Sequence, residues 1–471
     1  MVYVTGGLNA FIREDDVVIF GRLADRERDE DEFDDDEEQE LVLFQGALSG
    51  EDANLAANAR LARAGLIPAK EIVSNAMQRR ARTLIIEPKG SLAAIRLIID
   101  GVAHPGGTIP DKRGLAVVQM IKLLAGLDVK VRNREQSGGI KAEFRETPYT
   151  LYTKTEPARG GQERLVVLIK NQKEQILTPQ DAHLTEDMKS KIREICTGGD
   201  GLIVICGPPG SGSTTTSIVV LHTIDAFLYS IYSIANTRGR ELINVTSFER
   251  EPEWDLDSTI QRALRKEAGV LFMDPLTDAE SAQTAFKFRS KLAIVCEVKA
   301  PTPAAAIQQL IKWVEDPEVV ASGLRGVITQ KLIRTLCDDC KEAYRPNPKL
   351  LKKIGLPPET KVLYRPPNPP DPEEIGAEEA VTVEELCADC EGLPYHGRTG
   401  IYEVLEVTSG MRSVIRDGAK PEAIKKQMRE EGMLMLQKDG LRIVQSGKTS
   451  LEELQRVFAP PKPRPGKRRR R

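Results

Sequence analysis

The 471-residue chain has 67 basic and 70 acidic residues, a formal net charge of −3 and 40% hydrophobic residues. This composition predicts a folded protein of roughly two to four domains. The sequence has no run of about eighteen apolar residues, and its first residues lack the basic and apolar regions of a secretory leader. It therefore argues against a membrane-spanning or secreted protein and predicts a cytoplasmic one.

The charges are concentrated at the two ends of the chain. Residues 25–40, DRERDEDEFDDDEEQE, are almost all acidic and have little to bury. We assign residues 1–40 to an N-terminal segment with a disordered acidic linker, and a partner-docking role stays open. Residues 458–471 form a basic tail that could contact anionic lipid, nucleic acid or an acidic surface. A loose tail is the simpler interpretation, so we expect no nucleic-acid partner.

Residues 41–172 predict a small α+β domain. Leu, Ala and Ile recur at helical spacing in NLAANARLARAGLIPAKEIVSNAMQRRA, which indicates one or two amphipathic helices. Short β-branched runs follow at 83–88, 93–102 and 165–170, with the helical segment AVVQMIKLLAGL among them. A polar linker, 173–198, separates this domain from the next.

Residues 199–335 predict an α/β core with a mostly parallel sheet. GLIVIC (201–206) has the composition of a fully buried parallel strand, and it runs directly into GPPGSGSTTT. Further buried strands are expected at 242–248, 269–274 and 292–298, separated by helical segments. From about residue 322 onward the chain looks helical, and we assign 336–457 to a metal-binding, helical C-terminal region. The proline-rich segment 365–374 inside it predicts an exposed loop.

The segment after the first core strand resembles the phosphate-binding pattern GxxxxGK[ST]. In that pattern glycines let the backbone wrap phosphates, the lysine neutralises their charge and the Ser/Thr hydroxyl binds Mg²⁺. Here Ser213 stands at the lysine position and Thr214 at the metal position. A glycine-rich strand-to-helix turn without a ligand is the other interpretation. The predicted nucleotide-binding residues are Gly207, Pro208, Pro209, Gly210, Ser211, Gly212, Ser213, Thr214 and Thr215.

Four of the seven cysteines form two CxxC pairs, and the other three stand alone in apolar segments. The pairs are Cys337 with Cys340 and Cys387 with Cys390. Two pairs with this spacing are typical of a tetrahedral structural Zn²⁺ site with no position open for chemistry. Reduced thiols without a metal and a redox pair remain as alternatives. The separate cysteines, Cys196, Cys206 and Cys296, are expected to be small core residues.

Several segments in order resemble the type II secretion and type IV pilus assembly ATPases, from about residue 70 to residue 457. They are IIEP (85–88), IDGV (99–102), KLLAGLDV (122–129), GPPGSGSTTT, QKLIRTLCDDC (330–340) and HGRTGIYEVLEV (396–407). The resemblance implies a RecA-like P-loop motor domain that binds ATP and Mg²⁺, after a small α+β domain and before a four-cysteine region. It also implies a homo- or hetero-hexameric ring, attached to the inner membrane through the platform proteins of a secretion or pilus machine.

The same resemblance exposes departures at the residues that the family uses for hydrolysis. Glu249 and Glu253 fall on acidic positions of the segment after the second motor strand, but Arg250 replaces an aspartate. Pro275 falls on the Walker B glutamate. Asp274, one residue earlier, could hold a metal-bound water or only cap the following helix. We therefore name Glu249, Glu253 and Asp274 as candidate catalytic residues.

The basic residues around the family's site are depleted as well. Lys299 falls on a histidine of the family and could supply some of the missing charge, although a solvated lysine is the simpler interpretation. Thr153 stands where an arginine of the small domain is expected, with Arg159 and Arg164 out of register. These departures favour a noncatalytic or regulatory ring subunit. The alternative is an active ATPase that uses Asp274 or Glu249 and a substitute cation such as Lys299.

Overall fold

The computed structural model describes residues 40–51, 53–173, 182–208, 210–236, 242–248, 251, 253–367, 387, 390 and 392–459. The chain forms two compact units that divide between residues 175 and 176. Several predictions lie outside the described residues, namely those for 1–39, Pro209, Glu249, Arg250, 368–374 and 460–471. Within the described part, no helix combines the length and the apolar character needed to cross a membrane.

The first unit is an antiparallel sheet with helices α1 and α2. Its elements are β1 (Leu43–Ala47), α1 (Ala59–Gln78), β2 (Thr83–Lys89), β3 (Leu92–Ile99), β4 (Val102–Pro110), α2 (Asp111–Leu124), β5 (Gln136–Phe144), β6 (Thr147–Pro157) and β7 (Glu163–Asn171). The strand order is β1-β5-β6-β7-β2-β3-β4, with every neighbouring pair antiparallel. The helices approach closely at Gly65, where a Cβ would lie 2.5 Å from the Ala116 carbonyl oxygen. The expected small α+β architecture is confirmed.

The second unit contains a mostly parallel sheet flanked by helices. Its first elements are α3 (Glu186–Thr197), β8 (Gly201–Cys206), α4 (Ser213–Leu221), β9 (Ile231–Ser233), β10 (Thr246–Ser247), α5 (Leu256–Arg265), β11 (Val270–Phe272), α6 (Ala279–Lys287), β12 (Ala293–Val298), α7 (Pro303–Val314) and α8 (Pro317–Gly323). Two strands from further along the chain, β13 (Leu324–Leu336) and β16 (Tyr395–Glu406), complete the sheet, and the strand order is β10-β9-β11-β12-β8-β13-β16. Only the pairing of β13 with β16 is antiparallel among these described strands. The predicted α/β core is therefore confirmed.

The C-terminal part of the second unit adds both strands and helices. Its elements are β13 (Leu324–Leu336), β14 (Glu342–Tyr344), α9 (Pro348–Ile354), β15 (Leu363–Arg365), β16 (Tyr395–Glu406), α10 (Ser409–Arg416), α11 (Pro421–Glu430), α12 (Leu436–Gln445) and α13 (Leu451–Phe458). The expectation of a helical chain from about residue 322 is wrong for β13 and β16. Both strands complete the mostly parallel sheet. Strand β13 pairs with β8 and buries its apolar residues there, and β16 pairs with β13.

The strand predicted at 242–248 is also much shorter than expected. Only Thr246 and Ser247 form a strand, β10, at the edge of the sheet. Asn244 has a φ of 59°, in the left-handed region, so the chain turns before the strand begins. Leu242 and Val245, on either side of Asn244, pack against the core without being part of the sheet.

Candidate nucleotide loop and metal centre

The loop between β8 and α4 depends on glycine for its shape. A Cβ on Gly207 would lie 2.3 Å from the Ser211 hydroxyl oxygen and 2.9 Å from the Gln330 carbonyl oxygen. Gly210 and Gly212 have φ values of 78° and 92°, which residues with a side chain rarely adopt. The strand, the glycine-rich loop and the helix therefore follow the order that the phosphate-loop pattern predicts.

The hydroxyls at the start of α4 are bonded to Glu297, a residue that the sequence analysis missed. Ser213 Oγ donates to Glu297 Oε2 at 2.8 Å, and Thr214 Oγ1 lies 3.4 Å from the same oxygen. Ser217, one turn further along α4, places its hydroxyl 3.2 Å from Glu297 Oε1. The two critical positions of the phosphate-loop pattern thus face a carboxylate.

The sheet explains why this carboxylate reaches the loop. Strand β12 lies beside β8, with Glu297 opposite Ile205. On the face of β12 that Glu297 shares, Ala293 and Val295 pack in the same apolar cluster as residues of α4. Only 7% of Glu297 is exposed. The sequence did carry a signal, since Glu297 is the one charged residue in the otherwise apolar strand AIVCEV.

Beside the loop, two more buried polar atoms have no hydrogen-bond partner among the residues that the structure describes. Ser211 Oγ and Gln330 Oε1 belong to residues that are 6% and 2% exposed. Gln330 is on β13, on the opposite side of β8 from Glu297. Its amide lies 3.3–3.4 Å from the position that a Cβ on Gly212 would take. The side chains named here beside the loop are therefore either uncharged, as for Ser211 and Gln330, or acidic, as for Glu297.

The candidate catalytic acids in the described part do not share this position. Asp274 follows β11, which β12 separates from β8, so its strand is about 10 Å from β8. Its carboxylate is exposed and accepts a hydrogen bond from the Asn236 backbone N–H at 2.9 Å. The alternative role of capping the next helix is wrong, because Asp278 caps α6. Glu253 is exposed in a turn that follows β10, the far edge strand.

The basic residues considered as substitutes for the missing lysine and arginine are not among the recorded contacts of Ser213, Thr214 and Glu297. Lys299 is exposed, just beyond the end of β12. In the first unit, Thr153 is 2% exposed and points into that unit, so this position could not present an arginine outward. Arg159 is exposed in the turn between β6 and β7, and Arg164 pairs with Glu156 at 3.0 Å.

The four cysteines of the CxxC pairs converge as the spacing predicted. Their sulfur atoms all lie within 4.8 Å of one another. Cys337 Sγ is 3.8 Å from Cys387 Sγ, and Cys340 Sγ is 3.7 Å from Cys390 Sγ. A tetrahedral zinc with Zn–S bonds of about 2.3 Å would separate its sulfur ligands by about 3.8 Å. The donor set and its dimensions therefore fit such an ion.

Strand pairing brings the two cysteine pairs together. Cys337 directly follows β13 and Cys390 shortly precedes β16, and these strands pair with Leu336 opposite Tyr395. The Cys337 backbone N–H donates to the Pro394 carbonyl at 3.2 Å, which fixes the two ends of the hairpin. The lone cysteines are core residues as expected, since Cys196, Cys206 and Cys296 are at most 1% exposed. Burial raises the pKa of each of their thiols to about 12.

The parallel sheet with a glycine-rich loop between β8 and α4 defines a P-loop NTPase fold, joined here to a four-cysteine cluster. A family model described as "Type II/IV secretion system protein" matches residues 63–456. The chain belongs to this family, and the resemblance inferred from its segments is confirmed.

Individual relatives agree with this assignment. The type IV pilus assembly ATPase PilB of Thermus thermophilus is 26% identical over 391 residues, which cover 82% of this chain but only 42% of that protein. The type II secretion system ATPase E of Vibrio cholerae is 26% identical over 390 residues, covering 82% of this chain and 74% of that protein. The ATPase DotB of Legionella pneumophila has a similar fold, with a TM-score of 0.52 at 13% identity over 83% of this chain and 95% of that one.

Proposed function

We propose that this chain is a noncatalytic or regulatory subunit of a type II secretion or type IV pilus assembly motor ring. The observation that carries the proposal is Ser213, which stands at the lysine position and donates its hydroxyl to the Glu297 carboxylate. The loop sequence GPPGSGSTT contains no basic residue at all. Because phosphoryl transfer relies on positive charge near the phosphates, the residues present do not fit the hydrolysis of a triphosphate.

The size of the expected defect follows from general magnitudes. Removing one preorganised charge-stabilising donor from an active site commonly raises the barrier by roughly 3–4 kcal/mol, or about 100- to 1000-fold in rate. In this chain the lysine is replaced, and Pro275 stands at the Walker B glutamate. The two losses together support a subunit that contributes its fold and its docking surfaces while another subunit hydrolyses ATP.

The four-cysteine cluster supports a second part of the proposal. We infer that Cys337, Cys340, Cys387 and Cys390 hold one structural Zn²⁺, which would close the hairpin between β13 and β16. As the family resemblance implies, the ring would be hexameric, cytoplasmic and held at the inner membrane by platform proteins. ATP and Mg²⁺ would be bound weakly or not at all.

Steady-state release of inorganic phosphate tests the catalytic part. The purified full chain with Mg²⁺ and ATP should show no turnover above that of Thr214→Ala, which removes the metal-binding hydroxyl. Metal-dependent turnover in the unaltered chain that Thr214→Ala abolishes would reject the proposal and support the active ATPase. In that case Asp274, Glu249 and Lys299 would be the candidate catalytic groups of the ATPase.

Complementation tests the role in the machine. In the organism that encodes the chain, deletion should impair secretion or piliation, and the Thr214→Ala variant should restore it as well as the unaltered gene does. A noncatalytic subunit predicts this result because it needs the fold rather than hydrolysis. If Thr214→Ala fails to restore the phenotype although it accumulates normally, the subunit is not noncatalytic.

A further inference from the structure

The Glu297 carboxylate contacts the hydroxyls of Ser213 and Thr214, the residues at the lysine and metal positions of the phosphate-loop pattern. The N-terminal end of a helix attracts anions, because its first backbone N–H groups are unpaired and the helix dipole is positive there. Helix α4 begins at Ser213, and the Glu297 carboxylate contacts hydroxyls on its first two residues and on Ser217. The chain thus supplies its own anion to this end of the helix.

The carboxylate is also built into its position. Its residue is 7% exposed, on a strand in the middle of the sheet. Its Oε2 accepts a hydrogen bond from Ser213, and the Ser217 hydroxyl, which also lies 3.0 Å from the Ser213 carbonyl oxygen, is 3.2 Å from its Oε1. Hydrogen bonds to a charged group are stronger than those between neutral groups, and several donors offset the cost of burial. A solvent-exposed acid could turn away from an arriving phosphate, but this buried one is held in place by its surroundings.

The identities of residues 213 and 297 are consistent with each other. A lysine at position 213 would neutralise phosphate charge, whereas Ser213 donates a neutral hydroxyl to an acid. Phosphate entering the loop would meet a like charge at short range, and like charges in a site of low polarity repel strongly. The unpartnered oxygens of Ser211 and Gln330 add no positive charge on the other side of the loop.

We propose that Glu297 is an internal anion that occupies the phosphate loop and excludes the phosphates of a nucleotide from it. This inference rests on the proposed noncatalytic function and gives its physical cause. Loss of the lysine alone would leave a weakened site that still binds nucleotide. Gain of the carboxylate closes the site, so restoring the lysine by itself does not reopen it.

A double-mutant cycle on the full chain tests this claim. Its variants are Ser213→Lys, Glu297→Thr and the double substitution, because threonine suits a strand and keeps a hydroxyl for the Ser213 group. Glu406→Thr makes the same change on β16 of the same sheet, where Glu406 pairs with Lys191, and serves as the matched control. Binding of tripolyphosphate and of ATP is measured by isothermal titration calorimetry, with and without Mg²⁺.

The unaltered chain and Glu406→Thr should bind neither probe. Ser213→Lys alone should gain little, because the new lysine would pair with Glu297. Glu297→Thr should gain measurable binding, and the double variant should bind at least about 100-fold more tightly than Ser213→Lys, the scale of one preorganised charge. Equal affinity of Ser213→Lys and the double variant would overturn the proposal.

A different role for Glu297 would give a different pattern. If the unaltered chain binds ATP only with Mg²⁺ and Glu297→Thr abolishes that binding, the carboxylate is a magnesium-side group and does not exclude phosphate. Thermal unfolding of the unaltered chain keeps the test decisive even if the variants fold poorly. A rise in its melting temperature with tripolyphosphate contradicts exclusion. Binding without phosphate release would overturn this inference alone, whereas turnover would overturn the proposed function as well.

Discussion

The phosphate loop and the four-cysteine cluster lie in the same unit but differ in what they retain. The loop keeps the glycines that shape its backbone. At the lysine position of the pattern, however, it has Ser213, whose hydroxyl donates to the Glu297 carboxylate. The cluster keeps all four of its sulfur ligands at metal-binding distances. Backbone shape and side-chain chemistry are therefore separable properties, and a glycine pattern alone reports only the first.

Of the changes proposed here, removal of one cysteine of the cluster should lower stability the most. Cys390→Ser should lose the metal, and structural zinc contributes on the order of 10 kcal/mol to the folding of small zinc domains. Mass spectrometry of the purified chain should find about one zinc ion per unaltered chain and almost none in the variant. The control Cys196→Ala changes a buried cysteine outside the cluster and should keep its zinc. An unaltered chain purified without zinc would contradict the assignment.

A pH titration tests a buried acid on β16, the strand that begins shortly after Cys390 of the four-cysteine cluster. Glu403 lies on β16, and burial raises its pKa from 4.5 to about 7, although Lys331, Lys425 and the Leu436 N–H oppose the rise. A raised acid pKa makes the folded state bind the proton more tightly. The contribution of Glu403 to stability is therefore fully present below pH 4.5 and is lost as the pH rises through about 7, by roughly 3 kcal/mol in total.

Urea unfolding followed by tryptophan fluorescence measures this change in the second unit alone, because both tryptophans, Trp254 and Trp313, belong to it. Glu403→Gln cannot ionise and should show a flatter dependence on pH than the unaltered chain. Val404→Ala, on the same strand, changes no titratable group and controls for a substitution on β16. Parallel profiles for Glu403→Gln and the unaltered chain would show that Glu403 does not titrate in this range.

Removing one hydroxyl from the carboxylate should have a moderate effect. Ser217 is fully buried and its hydroxyl lies 3.2 Å from Glu297 Oε1. Because hydrogen bonds to charged groups are worth about 1.5–3 kcal/mol, Ser217→Ala should lower the free energy of unfolding by about 2 kcal/mol. The control Ser446→Ala removes a hydroxyl that donates to the Ile443 carbonyl, and should cost less. Equal losses would indicate that the Ser217 hydroxyl donates to the Ser213 carbonyl oxygen, 3.0 Å away, rather than to Glu297.

Adding a side chain at a glycine of the loop should have the smallest effect. Gly212 has a φ of 92°, and a Cβ there would lie 3.3 Å from the Gln330 amide. Gly212→Ala should therefore cost about 1 kcal/mol of stability, measured by the same urea unfolding. Gly269→Ala, whose nearest neighbour would be 3.8 Å away, is the matched control and should cost little. A neutral Gly212→Ala would show that the loop has relaxed from its glycine-dependent shape.

Much of the fold could be predicted from the sequence because local patterns determined it. GLIVIC coincides with β8, and the run LVVLIK lies within β7. The two cysteine pairs were recognised from spacing alone. By contrast, β13 and β16 were expected to be helical, because long strands with interspersed polar residues resemble amphipathic helices. Their identity depends on pairing with β8 and with each other.

The candidate site was predicted less completely for a related reason. The loop follows a continuous motif, so Ser213 and Thr214 could be identified directly. Glu297 lies 84 residues from Ser213 and joins it only through the pairing of β8 with β12. The acids chosen from the sequence, Asp274 and Glu253, follow strands further along the sheet. The apolar strand AIVCEV marks Glu297 as unusual, but the local pattern does not reveal that the sheet order brings it to α4.

The direct pairing of β13 with β16 also allows the chain between them to vary. The chain leaves the sheet at Cys337 and returns to the same place at Cys390, where the sulfur pairs join its two ends. A peptide tag inserted between Arg365 and Cys387 should leave the strand register intact, since loop-closure entropy rises only slowly with length. This stretch therefore offers a position for a fluorescent reporter that follows this chain in living cells.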